Sequence, residues 1–86
     1  MNENLSDVEV SILDLWYELG INTLIDEGVI FQRLRTKFSR EVIDYGIHKL
    51  KKDMISGKPS NLDPTKTMYS LTDEQGKPYI KEIHRL

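Results

Sequence analysis

Residues 37–57, KFSREVIDYGIHKLKKDMISG, decide the fold of this 86-residue chain. Ser39 is a favourable N-cap, and apolar residues follow it at helical spacing, which predicts a helix from Ser39 to about Lys52. Five positions are expected to face the core: Val42, Ile43, Gly46, Ile47 and Leu50. Glycine inside a helix costs about 1 kcal/mol relative to alanine, so we expect a neighbouring helix to approach Gly46 closely. Asp53 is expected to take the left-handed conformation that ends the helix.

Two more helices are predicted upstream of this stretch. Ser6 and Glu9 form a capping box, so the first helix should begin at Asp7 and run to Leu19, where Gly20 ends it. Residues 20–27 are expected to form a loop or connector that includes a short strand. The second helix should begin at residue 26 or 27 and end at residue 37.

The first helix carries two apolar stripes. The stripe that should cover the core consists of Val8, Ile12, Leu15, Trp16 and Leu19. The second stripe consists of Val10, Leu13 and Tyr17. A domain of this size needs only one stripe for its own core, so the second packs either on another part of the chain or on a partner subunit.

The last third of the chain has the pattern of strands joined by a loop. Residues 54–56 are a candidate short strand, residues 57–66 form a loop rich in proline and glycine, and residues 67–72 alternate as a strand does. The tail favours a helix from about Pro78, since proline suits the first position of a helix. A third strand is the alternative for the tail.

Three local pieces of this pattern resemble winged helix-turn-helix regulators. Residues 37–40 lead into an apolar helix, as in the helix-turn-helix pair of bacterial regulators, and residues 50–57 are similar to the end of a recognition helix running into the first wing strand. Residues 68–76, MYSLTDEQG, resemble the Tyr-x-Leu-Thr-x-x-Gly segment of PadR-like and MarR-like repressors, with one extra residue before the glycine. The resemblance implies an α+β winged helix-turn-helix fold: a three-helix core, a small β wing and a C-terminal tail, all in one domain over residues 1–86.

Charge is divided unevenly along the chain. Residues 1–30 carry seven acids and no base, whereas residues 31–66 carry nine bases and four acids. The net charge is −2 for the whole chain, but it is −7 for residues 1–30 and +5 for residues 31–66. This division indicates one acidic and one basic face. A basic face of this kind suits contact with nucleic-acid phosphates.

Several classes of function have no support in the composition. The chain has no cysteine and only two histidines, far apart, so no metal site is expected. It has no phosphate-binding glycine loop and no catalytic constellation, so we expect no cofactor and no enzymatic activity. No apolar run approaches the roughly 20 residues that span a bilayer, and the acidic N-terminus does not resemble a signal peptide. We therefore expect a cytoplasmic protein without a membrane partner.

The resemblance implies a transcriptional regulator that binds double-stranded DNA. In this fold the helix over residues 39–52 would lie in the major groove, with Arg40 positioned to donate two hydrogen bonds to a guanine, and the wing would contact the backbone. The candidate DNA-binding residues are Arg33, Arg35, Lys37, Ser39, Arg40, Asp44, Tyr45, His48, Lys49, Lys52, Lys58 and Lys66.

Two further expectations concern partners. A homodimer interface is predicted to contain Val10, Leu13, Tyr17, Tyr79, Ile80 and Ile83; alternatively, the tail folds over the second stripe and leaves a monomer. Glu41 and Asp44 lie on the exposed side of the third helix, where carboxylates repel phosphate. They accept hydrogen bonds from cytosine, or pair with Arg40 and His48, or the helix binds a basic protein surface. The alternative function is therefore a protein-interaction module, an adaptor or inhibitor in a replication or transcription complex.

Overall fold

The computed structural model describes residues 5–85, and its first helix has the predicted bounds. Helix α1 spans Asp7–Leu19. Its capping box is complete: Glu9 N–H donates to Ser6 Oγ at 3.4 Å, and Ser6 N–H donates to Glu9 Oε1 at 3.0 Å. Gly20 follows with φ of 120°, a conformation that residues with a side chain rarely adopt. The sequence prediction for α1 is confirmed because both of its ends are set by local contacts.

The second helix is shorter than predicted. Helix α2 spans Glu27–Leu34 and is capped by Asp26, whose Oδ1 accepts from Gly28 N–H at 2.6 Å. The prediction that it extends to Lys37 is wrong. The Leu34 carbonyl accepts from both Lys37 and Phe38 N–H at 3.0 Å, which closes a turn in place of another helical turn.

The third helix begins where the sequence indicates and ends early. Helix α3 spans Arg40–Leu50, and Ser39 Oγ accepts from Val42 N–H at 3.3 Å as its N-cap. The chain then turns, with Met54 N–H bonded to the Leu50 carbonyl at 2.9 Å. The prediction of a left-handed Asp53 is wrong, because a turn in right-handed conformations already ends the helix. In the described residues only Gly20 and Arg85 have positive φ.

One antiparallel sheet of three strands packs beside the helices. Strand β1 spans Ile25–Asp26, β2 spans Ile55–Pro59 and β3 spans Thr67–Leu71, in the order β1-β3-β2. Ile25 lies opposite Tyr69 on one side of β3, and Ser56 lies opposite Ser70 on the other. Strand β2 runs three residues beyond the predicted strand, since its pairing with β3 continues to Pro59. Strands β2 and β3 with their connecting loop form the wing.

The tail is a helix, as favoured from the sequence, and begins before Pro78. Helix α4 spans Gly76–His84, and Thr72 Oγ1 accepts from the N–H groups of Gln75 and Gly76 at 3.3 and 2.9 Å. Gly76 is needed because a Cβ there would collide with the Met54 carbonyl oxygen. In the described part of the chain, no helix has the length and apolar character needed to cross a membrane.

Helix α1 lies behind α3 and forms the centre of the core. A Cβ on Gly46 would lie 3.0 Å from Ile12 Cδ1 and 3.1 Å from Val8 Cγ1, which confirms the predicted close approach of a helix. Trp16 is fully buried, and its Nε1–H donates to the Thr23 carbonyl at 2.9 Å. The connector that leads to α2 is thereby fixed to α1.

The second apolar stripe of α1 is covered by α4. Leu13 and Ile80 are both fully buried, so neither side chain is available to a second subunit. Their assignment to a dimer interface is therefore corrected. The Tyr17 and His84 rings stack with centroids 3.6 Å apart, and His84 Nε2 lies 3.1 Å from Asp14 Oδ1. The tail thus folds over the second stripe, which was the alternative derived from the sequence.

Candidate nucleic-acid interface

An open cleft lies between α2, the start of α3 and the base of the wing. Its volume is about 540 Å³. It is lined by Asp26, Glu27, Gly28, Phe31, Gln32, Arg35, Arg40, Ile43 and Lys66. The turn after α2 brings Arg35 and Arg40 together, and the wing loop brings Lys66 to them. We call this the α2–α3 cleft.

Three of the candidate DNA-binding residues meet in this cleft. The guanidinium carbon of Arg40 lies 4.4 Å from the centroid of the Phe31 ring, a cation–π contact. Arg40 therefore extends back over α2 and away from the centre of the exposed face of α3. Within residues 5–85, none of Arg35, Arg40 and Lys66 makes an ion pair, so their charges are available to an anion.

Two other candidate cations lie on a different side of α2. Arg33 Nη1 is 3.2 Å from Glu18 Oε1, an ion pair between α2 and α1. Arg33 and Lys37 line a separate shallow depression that also contains Asp14 and Glu18. The predicted basic residues therefore lie on two different sides of α2. Among them, Arg33 is the one whose charge is balanced by an ion pair.

Helix α3 has one buried side, and its exposed side carries more acidic and apolar side chains than basic ones. Ile43, Gly46, Ile47 and Leu50 are buried at the spacing i, i+3, i+4, i+7. Val42 was predicted to face the core, which is wrong: it is 42% exposed, because that stripe is already filled and Val42 lies on its flank.

The exposed face of α3 carries a short row of side chains that we call the outer face of α3. Its members are Glu41, Tyr45 and His48, all exposed. Beside this row, Lys49 is half-buried with its Nζ 5.7 Å from the Tyr45 ring centroid. Lys52 lies in the exposed turn just after α3.

Carboxylates border the cleft beside the wing. Burial raises the pKa of Tyr69 above its usual value, and the charges of Glu27 and Asp44 raise it further. The two acids therefore lie close enough to the phenol of β3 to act on it from α2 and α3. Neither Glu41 nor Asp44 makes a salt bridge to any described residue, so the predicted pairing with Arg40 or His48 is absent there.

The tip of the wing is closed by its own hydrogen bonds. Ser60 N–H donates to the Lys66 carbonyl at 2.9 Å, and Asp63 Oδ1 accepts from Thr65 Oγ1 at 2.6 Å. The hydrogen bonds from Thr65 lower the pKa of Asp63, so this carboxylate stays ionised. Lys58 lies on the exposed edge strand β2, where it pairs with Met68.

Sequence reasoning missed several residues of the site. Phe31 and Gln32 line the cleft, and neither was named from the sequence as a candidate site residue. Leu62, at the wing tip, is 97% exposed and was not singled out. No spacing rule points to Phe31, because the cation that it contacts, Arg40, lies beyond the turn that follows α2. Among residues 5–85 there is no cluster of three or more His, Asp or Glu side chains suited to a metal ion.

Comparisons with known proteins identify the fold. The chain matches no protein-family model and no curated protein sequence. Two solved structures of the adhesin competence repressor from Streptococcus pyogenes are similar to it, with TM-scores of 0.76 and 0.72. Their sequence identities are 22% and 24%, over 99% and 94% of this chain. The chain spans 58% and 56% of the lengths of those two chains. The similarity confirms the predicted α+β winged helix-turn-helix fold.

Proposed function

We propose that this chain is a double-stranded DNA-binding protein that acts as a transcriptional regulator. The observation that carries the proposal is the α2–α3 cleft, where Arg35, Arg40 and Lys66 converge without an ion pair at the base of α3. Cations that converge without an ion pair suit the phosphate backbone of a duplex. The likeness to a protein described as a repressor supports the same conclusion.

The proposed binding mode places α3 in the major groove. In helix-turn-helix proteins the N-terminal residues of the second helix contact base edges, and the surrounding cations contact phosphates. Here the outer face of α3 would meet the bases. Lys49, Lys52 and Lys58 extend the cationic rim from the end of α3 to the wing. Ser39 Oγ accepts a hydrogen bond as the N-cap of α3, and its hydroxyl proton would donate to a phosphate.

The proposal includes a homodimer with a revised interface. Of the six residues first proposed, Tyr17 and Ile83 have exposed side chains, at 47% and 54%. Val10 and Tyr79 are half-buried, while Leu13 and Ile80 fasten α4 to α1. A two-fold axis through this side of α1 and α4 would present two α3 helices to half-sites about 34 Å apart.

Charge reversal in the cleft tests the proposal. The double variant Arg35→Glu/Lys66→Glu should lose binding to a mixed-sequence duplex, measured by fluorescence anisotropy. The matched control is Lys81→Glu/Arg85→Glu, which makes the same change of −4 in net charge at exposed positions of α4 and its C-cap. If both variants keep the oligomeric state of the parent in sedimentation equilibrium, equal loss in both, or no loss in the cleft variant, would show that the cleft is not the DNA site. Far-ultraviolet circular dichroism checks that both variants fold.

A second function is favoured by the acids of α3. Glu41 and Asp44 are exposed beside the exposed ring of Tyr45, a combination that suits a basic protein surface. A protein-interaction module would bind no duplex even at low salt. The same anisotropy titration of the unmodified protein therefore separates the two functions.

A further inference from the structure

The centre of the outer face of α3 begins with a carboxylate. At 100° per residue, Glu41, Tyr45 and His48 lie opposite the buried stripe of the helix. Arg40 and Asp44 lie on the flank that faces the cleft and the wing. Glu41 is therefore the first charged side chain at the middle of the face that the proposed function places against base edges.

The Glu41 carboxylate has no partner within the described part of the chain. It is exposed, and it makes no hydrogen bond or salt bridge to residues 5–85. Its position in the first turn of α3 stabilises its negative charge through the partial positive charge of the helix N-terminus.

The neighbouring arginine does not mask this carboxylate. Arg40 is held over the Phe31 ring on α2, so its guanidinium is directed to the cleft. An arginine at the centre of the helix would favour guanine, whose O6 and N7 accept two hydrogen bonds. With Arg40 displaced to the flank, the first turn of α3 presents an acceptor to the bases.

The chemistry of base edges selects a partner for such an acceptor. In the major groove guanine presents N7 and O6 and thymine presents O4, all acceptors that repel a carboxylate. Adenine presents its N6 amino group beside the acceptor N7, whereas cytosine presents the N4 amino group alone. We infer that Glu41 accepts a hydrogen bond from cytosine N4 and so selects a cytosine in each half-site. This inference rests on the proposed function, since it requires α3 to lie in the major groove.

Selection from a pool of randomised duplexes tests the inference. The unmodified protein should enrich cytosine at one position by roughly tenfold, the discrimination of one good base contact. Glu41→Gln should lose that preference and gain adenine there, because a glutamine amide matches adenine N6 and N7. Glu74→Gln is the matched control, with the same charge change at an exposed position outside the proposed DNA site, and should keep the cytosine. The measured quantity is the base preference, so a general rise in affinity from the lost charge does not affect it.

Each other outcome overturns the inference in a recognisable way. Duplex binding without a cytosine preference, or a preference that survives Glu41→Gln, refutes the role of Glu41 and leaves the proposed function intact. Loss of the preference in Glu74→Gln as well would show that the change in net charge, and not the Glu41 carboxylate, removes it. Absence of any duplex binding would refute both the inference and the proposed function. As a second readout, N4-methylcytosine at the selected position should weaken the unmodified protein roughly tenfold and leave Glu41→Gln unchanged.

Discussion

Replacing Trp16 by alanine should remove a large part of the stability of this fold. The indole extends from α1 and is fully buried in the core. Its N–H donates to the Thr23 carbonyl at 2.9 Å. Truncating a buried tryptophan costs about 3–5 kcal/mol through lost burial and the cavity left behind. A chain of 86 residues has a free energy of unfolding of about 4–13 kcal/mol. The variant should therefore lose between about a quarter of that stability and all of it.

Trp16→Phe separates the volume of the side chain from its hydrogen bond. Phenylalanine fills most of the space but leaves the Thr23 carbonyl without its donor, which should cost about 1–2 kcal/mol. Urea unfolding followed by far-ultraviolet circular dichroism measures both variants. Fluorescence cannot be used, because Trp16 is the single tryptophan of the chain. If the free energy of unfolding of Trp16→Ala lay within about 0.5 kcal/mol of that of the parent, the core described above would be wrong.

Three further perturbations test separate parts of the structure. Gly76→Ala should destabilise the fold by about 1–3 kcal/mol in the same urea assay, because the added methyl collides with a backbone oxygen; an unchanged midpoint would contradict the start of α4. The raised pKa of Tyr69 means that its contribution to stability is present below pH 10.0 and is lost as pH rises through the folded-state value. The free energy of unfolding of Tyr69→Phe should therefore fall less steeply than that of the parent as pH rises above 10.0. Identical pH profiles for the two proteins would refute this. Ile83→Glu should convert the proposed dimer to a monomer in sedimentation equilibrium, and a dimer unaffected by this change would exclude the α1–α4 side as the interface.

Local signals predicted the parts of the fold that local contacts determine. The bounds of α1 follow from Ser6, Glu9 and Gly20, all within one turn of its ends. Strand β3 follows from the alternation of residues 67–71. The glycine at position 46 predicted the close approach of a neighbouring helix, which the structure identifies as α1.

Contacts between distant residues determine what the sequence could not show. The packing of α2 against α1 places Arg33 beside Glu18, fifteen residues away, so no spacing rule could separate it from Arg35. The direction of Arg40 depends on the ring of Phe31 across the turn. The second stripe of α1 was ambiguous because only the folded position of α4 shows that Leu13 is covered. The folded structure distributes the twelve candidate residues over the α2–α3 cleft, the exposed side of α3, the wing and a separate side of α2.

The salt dependence of duplex binding tests the central claim most directly. Binding of a mixed-sequence duplex to the unmodified protein is measured across a range of salt concentrations. Each phosphate contact contributes about −0.9 to the slope of log K against log salt concentration. The three unpaired cations of the α2–α3 cleft should alone give a slope of roughly −2.7, and the lysines around them should make it steeper. A slope near zero, or no binding at low salt, would contradict the account of this chain as a DNA-binding protein.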